Sequence, residues 1–143
     1  MRSGPVRPYR DVVMKPLSAL VELPRPRVLT QAEHALVTRL AAFANIAYLT
    51  EQVATVRVVS TCDCGCGSVG LRSERPPVPA AVVARLSGSG RDDYFAVSAS
   101  SGADISVVLH VVGGMVGELE IFAGEDVKVT APDVGSLTNL WIG

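Results

Sequence analysis

Aromatic residues are scarce in this chain: Phe, Tyr and Trp make up 5% of its 143 residues, with Trp141 the single tryptophan. A core must therefore come from Val, Leu, Ile and Ala. Histidine is rarer still, with only His34 and His110, and cysteine occurs three times within five positions, at Cys62, Cys64 and Cys66. One tight, odd-numbered cluster excludes the spread, paired framework of a disulfide-stapled secreted domain and fits a reducing compartment. Charge is also low, at 19% of residues and net −1. No apolar run approaches the ~18 residues that span a bilayer, and Met1-Arg2-Ser3-Gly4-Pro5 leads into no signal-peptide hydrophobic region. The expectation is a cytoplasmic protein with no membrane partner.

Familiar catalytic patterns are missing as well. There is no Gly-x-Ser-x-Gly elbow and no His-Glu-x-x-His helix. Neither Ser87-Gly88-Ser89-Gly90 nor Gly113-Gly114-Met115-Val116-Gly117 opens a helix or carries the Lys/Ser/Thr partners of a phosphate cradle. What is present is an ordinary globular composition, 48% hydrophobic. A chain of this length suits one domain and buries roughly 70% of its unfolded surface.

Charge is unevenly placed. Residues 1–27 hold six cations against two carboxylates, net +4, and the remainder holds seven against twelve, net −5. Prolines at 5, 8, 16, 24 and 26 punctuate the basic stretch, so residues 1–28 read as an extended arm. Its only aromatic company is Tyr9, and it lacks the concentrated basic face of a nucleic-acid binder. Nucleic acid is set aside as a partner.

Thr30 followed by Glu33 is a capping box, and Leu36, Leu40, Phe43 and Ala47 recur at helical spacing. These predict one main amphipathic helix over about 30–47. Residues 54–62 alternate as a strand in which Val56, Val58 and Cys62 share a face, with Cys64–Gly67 as the turn and 68–73 as the return. Further strands are predicted over 94–99, 105–112 and 115–122, and an irregular docked tail follows Ala131. The fold class is α+β, an antiparallel sheet of about five strands with the helix packed on one face. Residues 29–143 form the domain.

The last hairpin carries a constraint. A two-residue Gly113-Gly114 loop would set Leu109 opposite Glu118 and Val107 opposite Glu120, mixing apolar and charged residues on one face. A loop of odd length, Val112–Gly114, instead sets Leu109 opposite Gly117 and Val107 opposite Leu119. It sends His110, Glu118 and Glu120 together to the other face. A histidine beside carboxylates has the chemistry for proton transfer near neutrality, and the same trio is also the ordinary solvated side of a sheet.

The cysteines admit several readings. Along an extended strand the β-carbons of Cys62 and Cys64 stand about 6.5–7 Å apart, too far for a disulfide. Curled by Gly65 and Gly67, two or three thiolates can meet a zinc ion, and either His34 or His110 could supply a fourth ligand. Redox work is less well served, because the spacing is Cys-x-Cys and no basic neighbour lowers a thiol pKa. The structural alternative is that the thiols are small buried hydrophobes, Cys62 innermost and Cys64 and Cys66 on the turn.

Leu49-Thr50-Glu51-Gln52-Val53, Val56-Arg57-Val58, Cys62-Asp63-Cys64-Gly65-Cys66-Gly67-Ser68-Val69-Gly70-Leu71 and Gly114-Met115-Val116-Gly117-Glu118-Leu119-Glu120-Ile121 follow one another in that order. The series resembles a group of small uncharacterised bacterial proteins, common in actinobacteria, in which a Cys-Gly-Cys turn precedes a late strand of the form Leu-x-Glu-Leu-Glu-Ile. The likeness covers about residues 30–135. Where that group usually has Cys-Gly-Cys-Pro-Ser this chain has Gly67, which loosens the turn. The resemblance implies a fold boundary and brings no activity with it. The expected function is a non-enzymatic binding or accessory module that contacts a protein partner or a second copy of itself. The alternatives are a zinc-thiolate protein using Cys62, Cys64 and Cys66, and a small enzyme using His110 and Glu118 with Glu120 nearby; zinc is the one cofactor in view.

Overall fold

The computed structural model of the chain describes residues 20–63, 65–124 and 127–143. Most of the arm, residues 1–19, and Cys64 of the cysteine turn lie outside them. The last residues read with the arm, Leu20–Arg27, form a strand, β1. Pro24 and Pro26 cannot donate to a ladder, and the pairing slips between Glu22 and Arg27. Such a strand belongs at a sheet edge, where β1 lies.

The capping box is present. Glu33 N–H donates to Thr30 Oγ1 at 3.1 Å, and Thr30 N–H donates to Glu33 Oε1 at 2.8 Å. Helix α1 spans Gln31–Ala44, shorter than predicted, because Asn45 turns left-handed at φ 56° and closes it. The chain restarts as α2, Ala47–Thr55, which takes in Ala54 and Thr55 from the predicted strand. The break also redirects the buried stripe. Leu36, Val37, Leu40 and Ala41 are buried, while Phe43 is 41% exposed and Ala47 is exposed.

Strands β2 (Arg57–Cys62), β3 (Val69–Arg72), β4 (Tyr94–Ser101), β5 (Ile105–Val112) and β6 (Met115–Phe122) follow, with α3 (Ala80–Leu86) between β3 and β4. The tail after Ala131 is not wholly irregular: Leu137–Ile142 forms β7 and pairs with β4. The described residues thus make seven strands rather than five, in the order β1-β2-β3-β6-β5-β4-β7, every neighbour antiparallel. Three helices accompany them rather than one. Leu36, Leu40, Leu49, Val53 and Val83 of the helices join Val58, Leu71, Val97, Leu109, Leu119 and Ile121 of the sheet in one core. The helices thereby define an inner face and an outer face.

The β5–β6 hairpin resolves its constraint by a third route. Val112 pairs with Met115, so the loop is the two residues Gly113-Gly114, both at positive φ. Gly117 is then extra: Val111 pairs with Val116 but His110 with Glu118, a β-bulge. The slip restores parity and sets Leu109 opposite Leu119 and Val107 opposite Ile121, neither the partners of an odd loop nor those of a plain two-residue turn. Gly114 also lets another segment close in, since a Cβ there would run into Val78 O. The buried Gln52 of α2 fastens this corner. Its Nε2 donates to Gly114 O at 2.8 Å and Pro76 O at 3.1 Å, and its Oε1 accepts from Val116 N–H at 2.9 Å.

Candidate functional site

The ladder carries one row of residues across the outer face: Glu22, Ser60, Gly70, Glu118, His110 and Ala96 are successive cross-strand partners. A neighbouring row runs Glu120, Val108, Ser98 and Trp141. His110, Glu118 and Glu120 therefore do share a face, as the sequence predicts. The floor around them is low. Gly70 has no side chain and lies under Ser60, whose Oγ a Cβ at Gly70 would overlap, and Ala96 is small. At one edge the Trp141 ring, 56% exposed, rests against Gly143, which exchanges backbone hydrogen bonds of 2.9 and 3.0 Å with Ala96.

His110 is held at both nitrogens. Nδ1 lies 2.6 Å from the Tyr94 hydroxyl, and Nε2 lies 2.8 Å from Glu120 Oε1. Side-chain exposures of 15% for His110 and 17% for Glu120 keep this chain largely out of water. Burial pushes the Tyr94 phenol up to about 12, with the carboxylates of Glu120 and Glu118 adding to the rise and Arg91 opposing it. Tyr94 is thus an O–H donor at neutral pH. Glu120 as a carboxylate only accepts, so Nε2 carries a proton toward it, and Nδ1 pairs with the Tyr94 hydroxyl. Arg91, paired with Asp93 at 3.0 and 3.1 Å, stands 5.1 Å above the Tyr94 ring.

Tyr94 and Arg91 are members that sequence reasoning missed. The alternation of Tyr94, Ala96 and Ser98 puts Tyr94 on an outward position of β4. Its meeting with His110 depends on a β4–β5 register that nothing local to either strand specifies.

The cysteine turn departs from expectation. Cys66 is 5% exposed, whereas Cys62 is only partly buried, the reverse of the predicted order. The cause is a second slip: Val58 pairs with Leu71 but Ser60 with Gly70, so the extra residue turns Cys62 away from the face of Val58. Gly65 and Gly67, at φ 82° and 87°, fold the turn back over β6. There the Cys66 thiol donates to Ser68 Oγ at 3.2 Å, and that hydroxyl accepts from Ile121 N–H at 2.9 Å. Gly67 has no room for a Cβ beside Val129 O, and the Lys128 stem packs 3.3 Å from the position a Cβ would take on Gly65. Cys64 lies outside the described residues, so Cys62 and Cys66 are the two of the three thiols described. Among the described residues no group of three or more His, Cys, Asp or Glu side chains is placed to hold a metal ion, and no helix is long and apolar enough to cross a membrane.

Compared with protein-family models, curated proteins and solved structures, the chain matches none.

Proposed function

We propose that the protein is a non-enzymatic binding module that receives an extended, arginine- or lysine-bearing segment of a protein partner on its outer sheet face. The observation that carries this reading is the placement of three carboxylates and the exposed Trp141 on one sheet face, around a Tyr94–His110–Glu120 chain with contacts of 2.6 Å and 2.8 Å. The acidic members of the face, Glu22, Glu118 and Glu120, attract cations, and the exposed Trp141 offers a ring on which a guanidinium stacks.

Trp141 is the only tryptophan, so its emission reports on this face without labelling. A nona-arginine peptide is expected to shift that emission saturably, less so as salt rises, and a nona-glutamate peptide to leave it unchanged. Glu120→Gln should weaken the arginine response about tenfold. An equal response to both peptides, or none to either, overturns the reading.

A further inference from the structure

We infer that Arg57 and Arg72 form an oxyanion site at one end of the outer face, and that the partner's extended segment carries a carboxylate for it as well as a cation for Glu118 and Glu120. The inference rests on the binding reading above and adds the second charge that the segment must present. Arg57 and Arg72 stand directly opposite each other where β2 and β3 pair, and both are exposed. Like charges so placed repel, with β-carbons only ~5 Å apart. An oxyanion seated between them replaces that repulsion with charge-assisted hydrogen bonds from both sides.

Both guanidinium groups have donors to offer. Arg57 is anchored through Nη1, which donates to Thr55 O and Val56 O at 3.2 Å each, where α2 ends. That anchor holds the side chain in place and leaves Nε and Nη2 as donors toward a ligand. Other arginines are already matched: Arg27 with Glu33, Arg75 with Glu51 and Arg91 with Asp93. Among the described residues no carboxylate forms such a pair with Arg57 or Arg72.

Register sets the spacing between the two charges. Arg72 follows Gly70 by two residues on β3 and shares its face, and Gly70 is the ladder partner of Glu118. One ladder step of ~4.8 Å and two residues of ~3.3 Å put the α-carbons of Glu118 and Arg72 ~8 Å apart. Because β6 runs antiparallel to β3, Glu120 lies two residues farther off, at ~14 Å. An extended segment presents same-face side chains ~7 Å and ~13 Å apart at two and four residues, which matches both. A segment with an acid and a base at that spacing fits, whereas an all-basic one is repelled at the arginine end. A polyanion such as nucleic acid is repelled in its turn by Glu22, Glu118 and Glu120.

Two labelled peptides of one composition read the site by anisotropy. In Glu-Glu-Glu-Gly-Arg-Arg-Arg the central acid and the central base stand four residues apart on one face of the extended chain. In Glu-Arg-Glu-Arg-Glu-Arg-Gly the period of two sends every acid to one face and every base to the other. The protein is expected to bind the block peptide roughly tenfold more tightly than the alternating one. That preference should vanish in Arg57→Gln/Arg72→Gln and shrink at about 0.5 M salt. Arg72→Glu, which leaves the Arg57 anchor in place, should also abolish it and should tighten the Trp141 response to nona-arginine roughly threefold. Equal binding of the two peptides by the unaltered protein overturns the inference, and if Trp141 still responds to nona-arginine the binding reading survives it. A preference that persists in both arginine variants also overturns it, because the acid is then read elsewhere.

Discussion

Glu33 is a carboxylate with 7% of its surface exposed, and its neighbours account for its tolerance there. Both oxygens accept from Arg27, at 2.9 and 3.1 Å, and Oε1 accepts from Thr30 N–H as well. Burial pushes the carboxyl up, but the Arg27 and Thr30 hydrogen bonds outweigh it and hold Glu33 below the ordinary carboxylate range. A group whose pKa is lower folded than unfolded lends stability that is complete above its unfolded value, about 4.3, and is lost as pH falls through the folded value. Glu33→Gln should therefore cost about 1–3 kcal/mol at pH 7. The penalty should fade in urea titrations as pH drops below about 4. A cost independent of pH would show that shape, and not charge, is what matters at this position.

At the scale of elements, the legible features were those whose cause is local. The Thr30–Glu33 box sits within four residues, and strands β4, β5 and β6 follow from period-two alternation in the sequence. What escaped lay in two single-residue slips and in pairings between distant segments. Gly117 and the step between Val58 and Ser60 each add one residue to a ladder. A bulge leaves little trace in composition yet reverses every side chain beyond it. The Gly117 slip preserved the grouping of His110 with Glu118 and Glu120 although the loop is two residues; the β2 slip turned Cys62 off the face of Val58, while Cys66, beyond the strand, is buried against Ser68. The cysteines give the corresponding test. A thiol reagent should modify Cys62 well before Cys66 in the folded protein. Cys66→Ser should destabilise by about 1–3 kcal/mol, since it alters a buried contact with Ser68, and Cys62→Ser by less than about 0.5 kcal/mol. Equal labelling rates would place the slip elsewhere in β2.

For the whole molecule the decisive feature is the seam between sequence-distant strands. β3 pairs with β6 and β4 with β7, pairings between segments far apart in the sequence that make this a topology of high contact order. β7 is the element sequence periodicity identified least well, because Asn139 takes a positive φ and breaks its alternation. Its residues nevertheless do two separable jobs. Leu137, Leu140 and Ile142 pack against the core, and the backbone covers the edge of β4, which otherwise presents open hydrogen-bonding groups beside Val97. Trp141 faces the other way and remains 56% exposed. Leu140→Ala should accordingly lower stability by about 1–2 kcal/mol, less than a fully buried leucine costs, because Leu140 is only partly buried. Trp141→Ala should cost less than about 1 kcal/mol, because little of its apolar surface is withdrawn from water. On the binding side the order reverses, with Trp141→Ala weakening capture of an arginine peptide and Leu140→Ala sparing it. Peptide titration followed by anisotropy of a label on the peptide, run beside urea unfolding of both variants, separates the two jobs. Should Trp141→Ala unfold the protein as readily as Leu140→Ala, the ring would belong to the core and the outer face would lose its aromatic wall.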